Sequence, residues 1–187
     1  MLFGIQHSIM ARKFFKKWIT RILPMPIERS TYVLISGILL AFLVWQWEPL
    51  GGIIWTIPKD SVWYYVIYTF FFAGWTILFI STFLINHFDL FGLRQTYHEL
   101  LKKPYKPLEF KVKAFYKYVR HPLYLGGIVG IWASPTMTLT HLCFAILLTS
   151  YFIIGALFEE KDLIRDFGDD YRDYQKKTGM FIPYVKE

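Results

Sequence analysis

The sequence Arg120-His121-Pro122-Leu123-Tyr124-Leu125-Gly126 is followed, after a long apolar segment, by the carboxylate pair Glu159-Glu160. The apolar segment is broken once, near Pro135, and is long enough to enter a lipid bilayer and return. Both charged groups are therefore predicted to lie at the same membrane surface. Polar groups at membrane depth are costly, so we interpret the two motifs as parts of one functional site.

The composition of the 187 residues indicates a membrane protein. Hydrophobic residues make up 55% of the chain and aromatic residues 20%, which exceeds the usual share in soluble domains. The formal net charge is nevertheless +7. The cations lie between apolar segments, as in membrane spans joined by basic loops, and this segregation argues against a nucleic-acid-binding protein. At this length we predict a single domain over residues 1–187.

The apolar segments predict an all-α, polytopic membrane helical bundle with four spans. The first two spans are predicted over residues 32–47 and 62–85, because each approaches the length needed to cross a bilayer. A third block, residues 122–158, is broken at 133–136 into a short arm and a long arm. The two arms are predicted to form a tilted or partly re-entrant hairpin.

Both ends of the chain differ from these spans. Residues 2–10 are apolar but too few to cross alone, so they predict the inner end of a remnant helix whose span is truncated. Residues 160–179 predict an amphipathic helix on the cytosolic surface, ended by Gly179 and Pro183.

The distribution of Lys and Arg predicts the orientation. Of 21 such residues, 20 fall on alternate loops, with six in residues 11–30, eight in 86–120 and six in 159–187. The positive-inside rule places these loops in the cytoplasm. The motifs around His121 and Glu159 would then lie at the cytosolic interface, where water-soluble cofactors are present.

Metal and disulfide chemistry are not indicated. Cys143 is the only cysteine, so neither a thiolate zinc site nor a CxxC pair is possible. No two of the five histidines have the spacing of a histidine box, which argues against a membrane metal oxidase. We predict no metal.

The residues around Pro122 predict a helix start. Pro122 biases His121 away from helical backbone and favours a helix that begins directly after it. The free backbone amides of that helix would donate hydrogen bonds to an anion, while the carboxylates of Glu159 and Glu160 would accept hydrogen bonds from a cation. Such a site fits a zwitterion, for example an amino-acid-bearing cofactor. A simpler interpretation also stays open, in which Arg120 and the two acids only anchor helix ends at the lipid headgroups.

The ordered motifs resemble a known family. Arg-His-Pro-x-Tyr-x-Gly, Glu-Glu and then Phe167-Gly168-x-x-Tyr171-x-x-Tyr174 are similar to the isoprenylcysteine carboxyl methyltransferase superfamily of integral membrane enzymes, over roughly residues 112–185. Four further segments resemble its methanethiol S-methyltransferase branch and extend the resemblance over most of the chain: Gln6-His7-Ser8, 28–33, 87–95 and 132–138. The resemblance implies methyl transfer from S-adenosylmethionine to a small thiol, converting methanethiol to dimethyl sulfide.

Two alternatives accompany this hypothesis. One is methylation of a prenylcysteine or a lipid, and the other is a non-catalytic membrane protein of related fold. The prenylcysteine enzymes hold the substrate carboxylate with an arginine one turn before the first glutamate, where this chain has Gly155. Gly155 leaves room but no charge, which suits a small neutral thiol better than a carboxylate.

The resemblance also implies site residues. Cofactor roles are implied for Tyr116, His121, Leu123 through its backbone, Tyr124 and Glu159, with Glu160 as the second member of the pair. Arg120 and Gly155 are predicted on the substrate side, and Tyr171 and Tyr174 are predicted to pack the tail over the site as a lid.

Methylation of a thiol requires a proton acceptor, because the thiolate is the competent nucleophile. His121, His87 and Asp89 are the candidates on the predicted cytosolic side, and the sequence does not choose among them. The predicted partners are thus a small thiol and membrane lipids, with neither nucleic acid nor metal.

Overall fold

The structure, a computed structural model, describes residues 2–184 and is mostly helical. In chain order its elements are α1 (Leu2–Met10), α2 (Lys13–Ile19), α3 (Met25–Trp45), β1 (Ile53–Thr56), α4 (Val62–Ile85), α5 (His87–Leu90), α6 (Leu93–Leu100), a 3₁₀ turn (Ala114–Lys117), α7 (Pro122–Trp132), β2 (Thr136–Thr138), α8 (Leu139–Phe167) and α9 (Asp169–Lys177).

The described chain forms two compact units. The first contains the residues up to Glu48 together with Ile85–Glu109, and the second contains Pro49–Leu84 together with the residues from Phe110 onward. Each unit is therefore built from two separate stretches of sequence. The prediction of a single domain stays a prediction.

Three helices in the described residues are long and apolar enough to cross a membrane: α3, α4 and α8. The bounds of α4 coincide with the predicted second span. Helix α3 begins earlier than predicted, at Met25, because Pro24 and Pro26 lie at its start, where proline is tolerated. Helix α7 is apolar but has only 11 residues, as expected of the short arm, and a fourth complete span stays a prediction.

The predicted amphipathic helix over residues 160–179 is divided in two. Helix α8 continues through Glu160 to Phe167, so the acid pair lies inside a helix and not at its end. Gly168 then takes a positive φ of 59°, which favours glycine, and the chain turns there into α9. Helix α9 ends at Lys177, just before the predicted stop at Gly179.

A short sheet was not predicted from the sequence. Strand β1 pairs with β2 in antiparallel fashion, with Trp55 opposite Met137 and Thr56 opposite Thr136. The indole nitrogen of Trp55 also donates to the carbonyl of Ser134 at 3.1 Å. The pairing joins the connection before α4 to the turn between α7 and α8.

Close packing of glycines positions α7 in the second unit. A Cβ added at Gly74 of α4 would lie 2.5 Å from the backbone nitrogen of Gly130 and 2.7 Å from the carbonyl oxygen of Gly126, both in α7. Only glycine permits backbones to approach so closely. Because α7 also packs on α8, its N-terminus is held beside the second half of α8.

In the first unit, Gly92 fixes the loop between α5 and α6. Its φ of +76° lies in the left-handed region, and an added Cβ would lie 2.5 Å from the backbone nitrogen of Ser30. The guanidinium of Arg29 donates to the carbonyl of Leu90 at 2.8 Å. These contacts join the start of α3 to the segment that carries Asp89.

Candidate active site

The candidate site begins at the N-terminus of α7. Helix α7 starts at Pro122, as the sequence predicts, and His121 occupies the N-cap position with non-helical backbone angles (φ −124°, ψ 63°). The imidazole makes no capping hydrogen bond and is 5% exposed. It is directed toward the two glutamates of α8 instead.

Glu160 is buried and bound by two residues from the start of α7. Its Oε1 accepts from Nε of Arg120 at 2.6 Å and lies 3.2 Å from Nε2 of His121. The side chains of Arg120 and Glu160 are only 11% and 9% exposed. A buried charge is tolerated when it is paired and hydrogen-bonded, and here both conditions hold.

The C-terminal tail completes the coordination of this ion pair. The side-chain amide of Gln175, in α9, donates to Oε2 of Glu160 at 2.8 Å. The guanidinium of Arg120 donates to the backbone carbonyls of Gln175 and Thr178. The backbone nitrogen of Arg120 donates to the carbonyl of Gly179 at 2.8 Å. We name the group of Arg120, Glu160, Gln175 and Thr178 the tail clamp, because it fastens α9 and the following residues to α7 and α8.

Glu159 has a different environment from its neighbour. Its side chain is 45% exposed, and its Oε2 accepts from the hydroxyl of Tyr124 at 2.8 Å. The Nδ1 of His121 lies 3.7 Å from the same oxygen, which is too long for a hydrogen bond. The ring of Tyr124 is stacked between His121, with centroids 5.5 Å apart, and Phe152, at 5.2 Å. Glu159 is thus oriented by Tyr124 and accessible.

An aromatic cluster lies beside the tail clamp. Phe110 packs against Tyr171 and Tyr174 of α9, and the hydroxyl of Tyr174 donates to the backbone carbonyl of Tyr116. The hydroxyls of Tyr116 and Tyr171 are also buried, yet neither has a hydrogen-bond partner among residues 2–184. Burial, reinforced by the charge of Glu159, raises the pKa of Tyr116, so its phenol stays protonated near neutral pH.

A second polar cluster lies in the first unit, around Asp89. This carboxylate is 8% exposed and accepts from Arg94 at 2.7 Å, Gln95 at 2.8 Å and the hydroxyl of Tyr105 at 3.0 Å. The backbone nitrogen of Asp89 donates to the side chain of Asn86 at 3.1 Å. Both oxygens of Asp89 are therefore occupied by donors from its own unit.

The structure brings together most of the predicted site. Arg120, His121, Tyr124, Glu159 and Glu160 form one cluster, with Tyr116 in the adjoining aromatic group. Leu123 lies in the first turn of α7, and Gly155 lies one turn before Glu159 with no atom within 4 Å of an added Cβ. His87 and Asp89 belong to the first unit, where the imidazole of His87 packs on Phe91 at a centroid distance of 4.6 Å.

Three contributors were missed from the sequence. Gln175 and Thr178 share a face of the tail with Tyr171 and Tyr174. Counted from Tyr171, the other three residues follow at three, four and seven positions, and this helical spacing could have indicated them. Tyr105, which bonds Asp89, follows Pro104 in an irregular segment without periodicity, so no pattern indicated it.

Relatives of known name match nearly the whole chain. The methanethiol S-methyltransferase of Crocosphaera subtropica is 50% identical over 184 residues, which make up 98% of this chain and 72% of the relative. The enzyme of the same name from Mycobacterium tuberculosis is 45% identical over 185 residues, 98% of this chain and 75% of the relative. The Nurim protein of Sus scrofa is 27% identical over 171 residues, 87% and 64% of the two chains. No family model and no solved structure matches the chain.

Proposed function

The chain belongs to the family of methanethiol S-methyltransferases, and from this premise we propose that it transfers a methyl group from S-adenosylmethionine to methanethiol. In this reaction the thiol loses its proton, its sulfur takes the methyl group, and dimethyl sulfide and S-adenosylhomocysteine result. One observation carries the proposal. An accessible carboxylate, Glu159, is oriented by Tyr124 beside the N-terminus of α7.

The residues fit a zwitterionic nucleoside donor. When bound, S-adenosylmethionine supplies a methyl group activated by attachment to a positively charged sulfur. The Glu159 carboxylate suits its ammonium group, and the first amides of α7, including that of Leu123, suit its carboxylate. The buried hydroxyl of Tyr116, which has no partner among residues 2–184, supplies a further hydrogen-bond donor.

Arg120 adjusts the charge of the site. Two bare carboxylates beside a sulfonium would stabilise its positive charge, which methyl transfer removes, and would thereby slow the reaction. The guanidinium of Arg120, 2.6 Å from Glu160, neutralises one of the two acids. Because this guanidinium is already bonded to Glu160 and to the tail, we propose that Arg120 affects the substrate indirectly, through the clamp.

His121 is the proposed proton acceptor in the second unit. Because a carboxylate can only accept hydrogen bonds, we infer from the contact of 3.2 Å with Glu160 that a neutral imidazole carries its proton on Nε2. The lone pair is then on Nδ1, on the side of the accessible Glu159. Asp89 is less suited because its oxygens are occupied by three side chains, and His87 stays an alternative.

We propose a cytoplasmic site in a membrane protein with four spans. The alternation of basic loops supports this orientation. The pairing of β1 with β2 is compatible with it, since the connection with β1 carries one Lys and that with β2 carries no Lys or Arg, and both are predicted on the opposite side.

Cysteine labelling tests the orientation. Asp60→Cys and Lys103→Cys, each made with Cys143→Ser, place single thiols at exposed positions in two loops of predicted opposite sides. In intact cells a membrane-impermeant maleimide should label position 60, and should label position 103 only after permeabilisation. The reverse pattern would contradict the proposed orientation. Labelling of both positions in intact cells would contradict the proposed number of spans.

A product assay tests the function. The purified chain in lipid nanodiscs is given methyl-labelled S-adenosylmethionine with methanethiol, a prenylcysteine or a phospholipid. We expect volatile labelled dimethyl sulfide from methanethiol and no label on the phospholipid. We also expect no label on the prenylcysteine, because Gly155 provides no cation for its carboxylate. Label on the prenylcysteine or the lipid would identify that molecule, and not the thiol, as the substrate. Absence of both labelled product and donor binding would favour a non-catalytic protein of related fold.

A further inference from the structure

We propose that the hydroxyl of Tyr171 donates a hydrogen bond to the nucleoside part of the methyl donor, so that helix α9 forms part of the donor site. This inference rests on the proposed function and extends it to a residue for which the sequence predicted only a role in covering the site. Three observations on the second unit carry it: burial, the lack of a hydrogen-bond partner among residues 2–184, and position next to the tail clamp.

Tyr171 is almost completely buried. Its side chain is 2% exposed and is among the largest fully buried side chains of the described residues. The ring packs against Phe110 and Tyr174, with centroid distances of 5.7 Å in both cases. A phenylalanine would make the same ring contacts without a polar atom.

The hydroxyl of Tyr171 has no hydrogen-bond partner in the part of the chain that the structure describes. A buried hydroxyl without a partner destabilises a fold, because it loses its bonds to water and gains none. Native proteins contain few such groups, and those present call for an explanation such as a ligand or an internal water. Tyr174, three residues later, shows the usual arrangement, since its hydroxyl bonds the carbonyl of Tyr116.

The position of Tyr171 relates its hydroxyl to the donor site. Tyr171 is one helical turn before Gln175, which donates to Glu160. Burial raises the pKa of Tyr171 most, Glu160 raises it further, Arg120 lowers it and Glu159 raises it. The phenol is therefore within electrostatic range of both glutamates, although it bonds neither.

The same environment determines what Tyr171 can bind. Its phenol stays protonated at neutral pH, so it acts as a hydrogen-bond donor and the ligand must offer an acceptor. A second anion is disfavoured near Glu159 and Glu160, which leaves the neutral acceptors of a nucleoside, namely ribose oxygens and purine nitrogens. The ammonium of the same donor is assigned to Glu159.

Tyr171→Phe tests the inference, with Tyr174→Phe on the same helix as the matched control. Calorimetry measures the dissociation constants of S-adenosylmethionine and of 5′-methylthioadenosine, which keeps the nucleoside but lacks the amino-acid part. Thermal unfolding of the ligand-free protein is measured in parallel. We expect Tyr171→Phe to weaken the binding of both ligands about tenfold, by loss of one hydrogen bond in a buried site.

Thermal unfolding distinguishes ligand binding from a structural role. Tyr171→Phe removes a hydroxyl that bonds nothing in the described part of the chain, so the unfolding temperature without ligand should stay the same or rise. Tyr174→Phe removes a satisfied hydrogen bond, so this temperature should fall.

The competing outcomes are distinct. Unchanged affinity with unchanged unfolding would make Tyr171 a packing residue only, and unchanged affinity with lower unfolding temperature would assign its hydroxyl to an internal water. Either result overturns the inference and leaves the proposed function intact, provided that the unsubstituted protein binds S-adenosylmethionine. Failure of the unsubstituted protein to bind that donor would overturn both.

Discussion

Glu160→Gln is expected to lower the free energy of unfolding by about 3–5 kcal/mol, the usual effect of removing one member of a buried ion pair. The oxygens of Glu160 accept from Arg120, His121 and Gln175, so donors face both of them. A glutamine has one oxygen and one NH₂ group, and whichever way it is oriented its NH₂ group faces a donor. Denaturant unfolding of the detergent-solubilised protein, followed by tryptophan fluorescence, measures the change.

Glu159→Gln is the control for this stability measurement. The two acids are adjacent in sequence and equal in charge, but the side chain of Glu159 is 45% exposed and that of Glu160 is 9% exposed. We expect a change of no more than about 0.5 kcal/mol for the exposed residue. Equal destabilisation by both substitutions would mean that the acid pair acts as one unit and that the tail clamp is not specific to Glu160.

The proximity of the two motifs was predictable from local rules. Proline restricts the residue before it and favours the first turn of a helix, so the helix start after His121 depends on sequence alone. The chain then runs out along one apolar arm and back along the other, so Glu159 is expected at the same end of the hairpin as His121. The observed distance of 3.7 Å between Nδ1 of His121 and Oε2 of Glu159 agrees with this prediction.

Which of the two acids is buried and which is accessible was not predictable. Adjacent residues on a helix point about 100° apart, so one of the pair faces the packed side and the other does not. Which one is buried depends on where α7 and α9 pack, and that depends on the glycine contacts of α7 and on the turn at Gly168. The sequence shows these glycines but does not show which helix packs against them.

The β1–β2 pairing escaped prediction for a similar reason. Each strand has only three or four residues. Gly51, Gly52 and Pro58 flank β1 and Pro135 precedes β2, and such residues are typical of loops. Strands this short form because the helices that flank them hold the partners together. The all-α class is therefore correct for the spans, while the connections contain a small sheet.

Glu159→Gln is expected to weaken the binding of S-adenosylmethionine roughly 10- to 100-fold, the effect of losing a hydrogen bond to a charged group. The side chain keeps its shape and an oxygen for Tyr124 but loses the charge that attracts the ammonium. Calorimetry on the detergent-solubilised chain measures it, with 5′-methylthioadenosine as the comparison ligand. Because that ligand lacks the ammonium, its affinity should change less than about twofold. Equal weakening for both ligands would mean that Glu159 maintains the structure of the site and does not bind the ammonium. Unchanged affinity for both ligands would mean that Glu159 does not contribute to binding of the methyl donor.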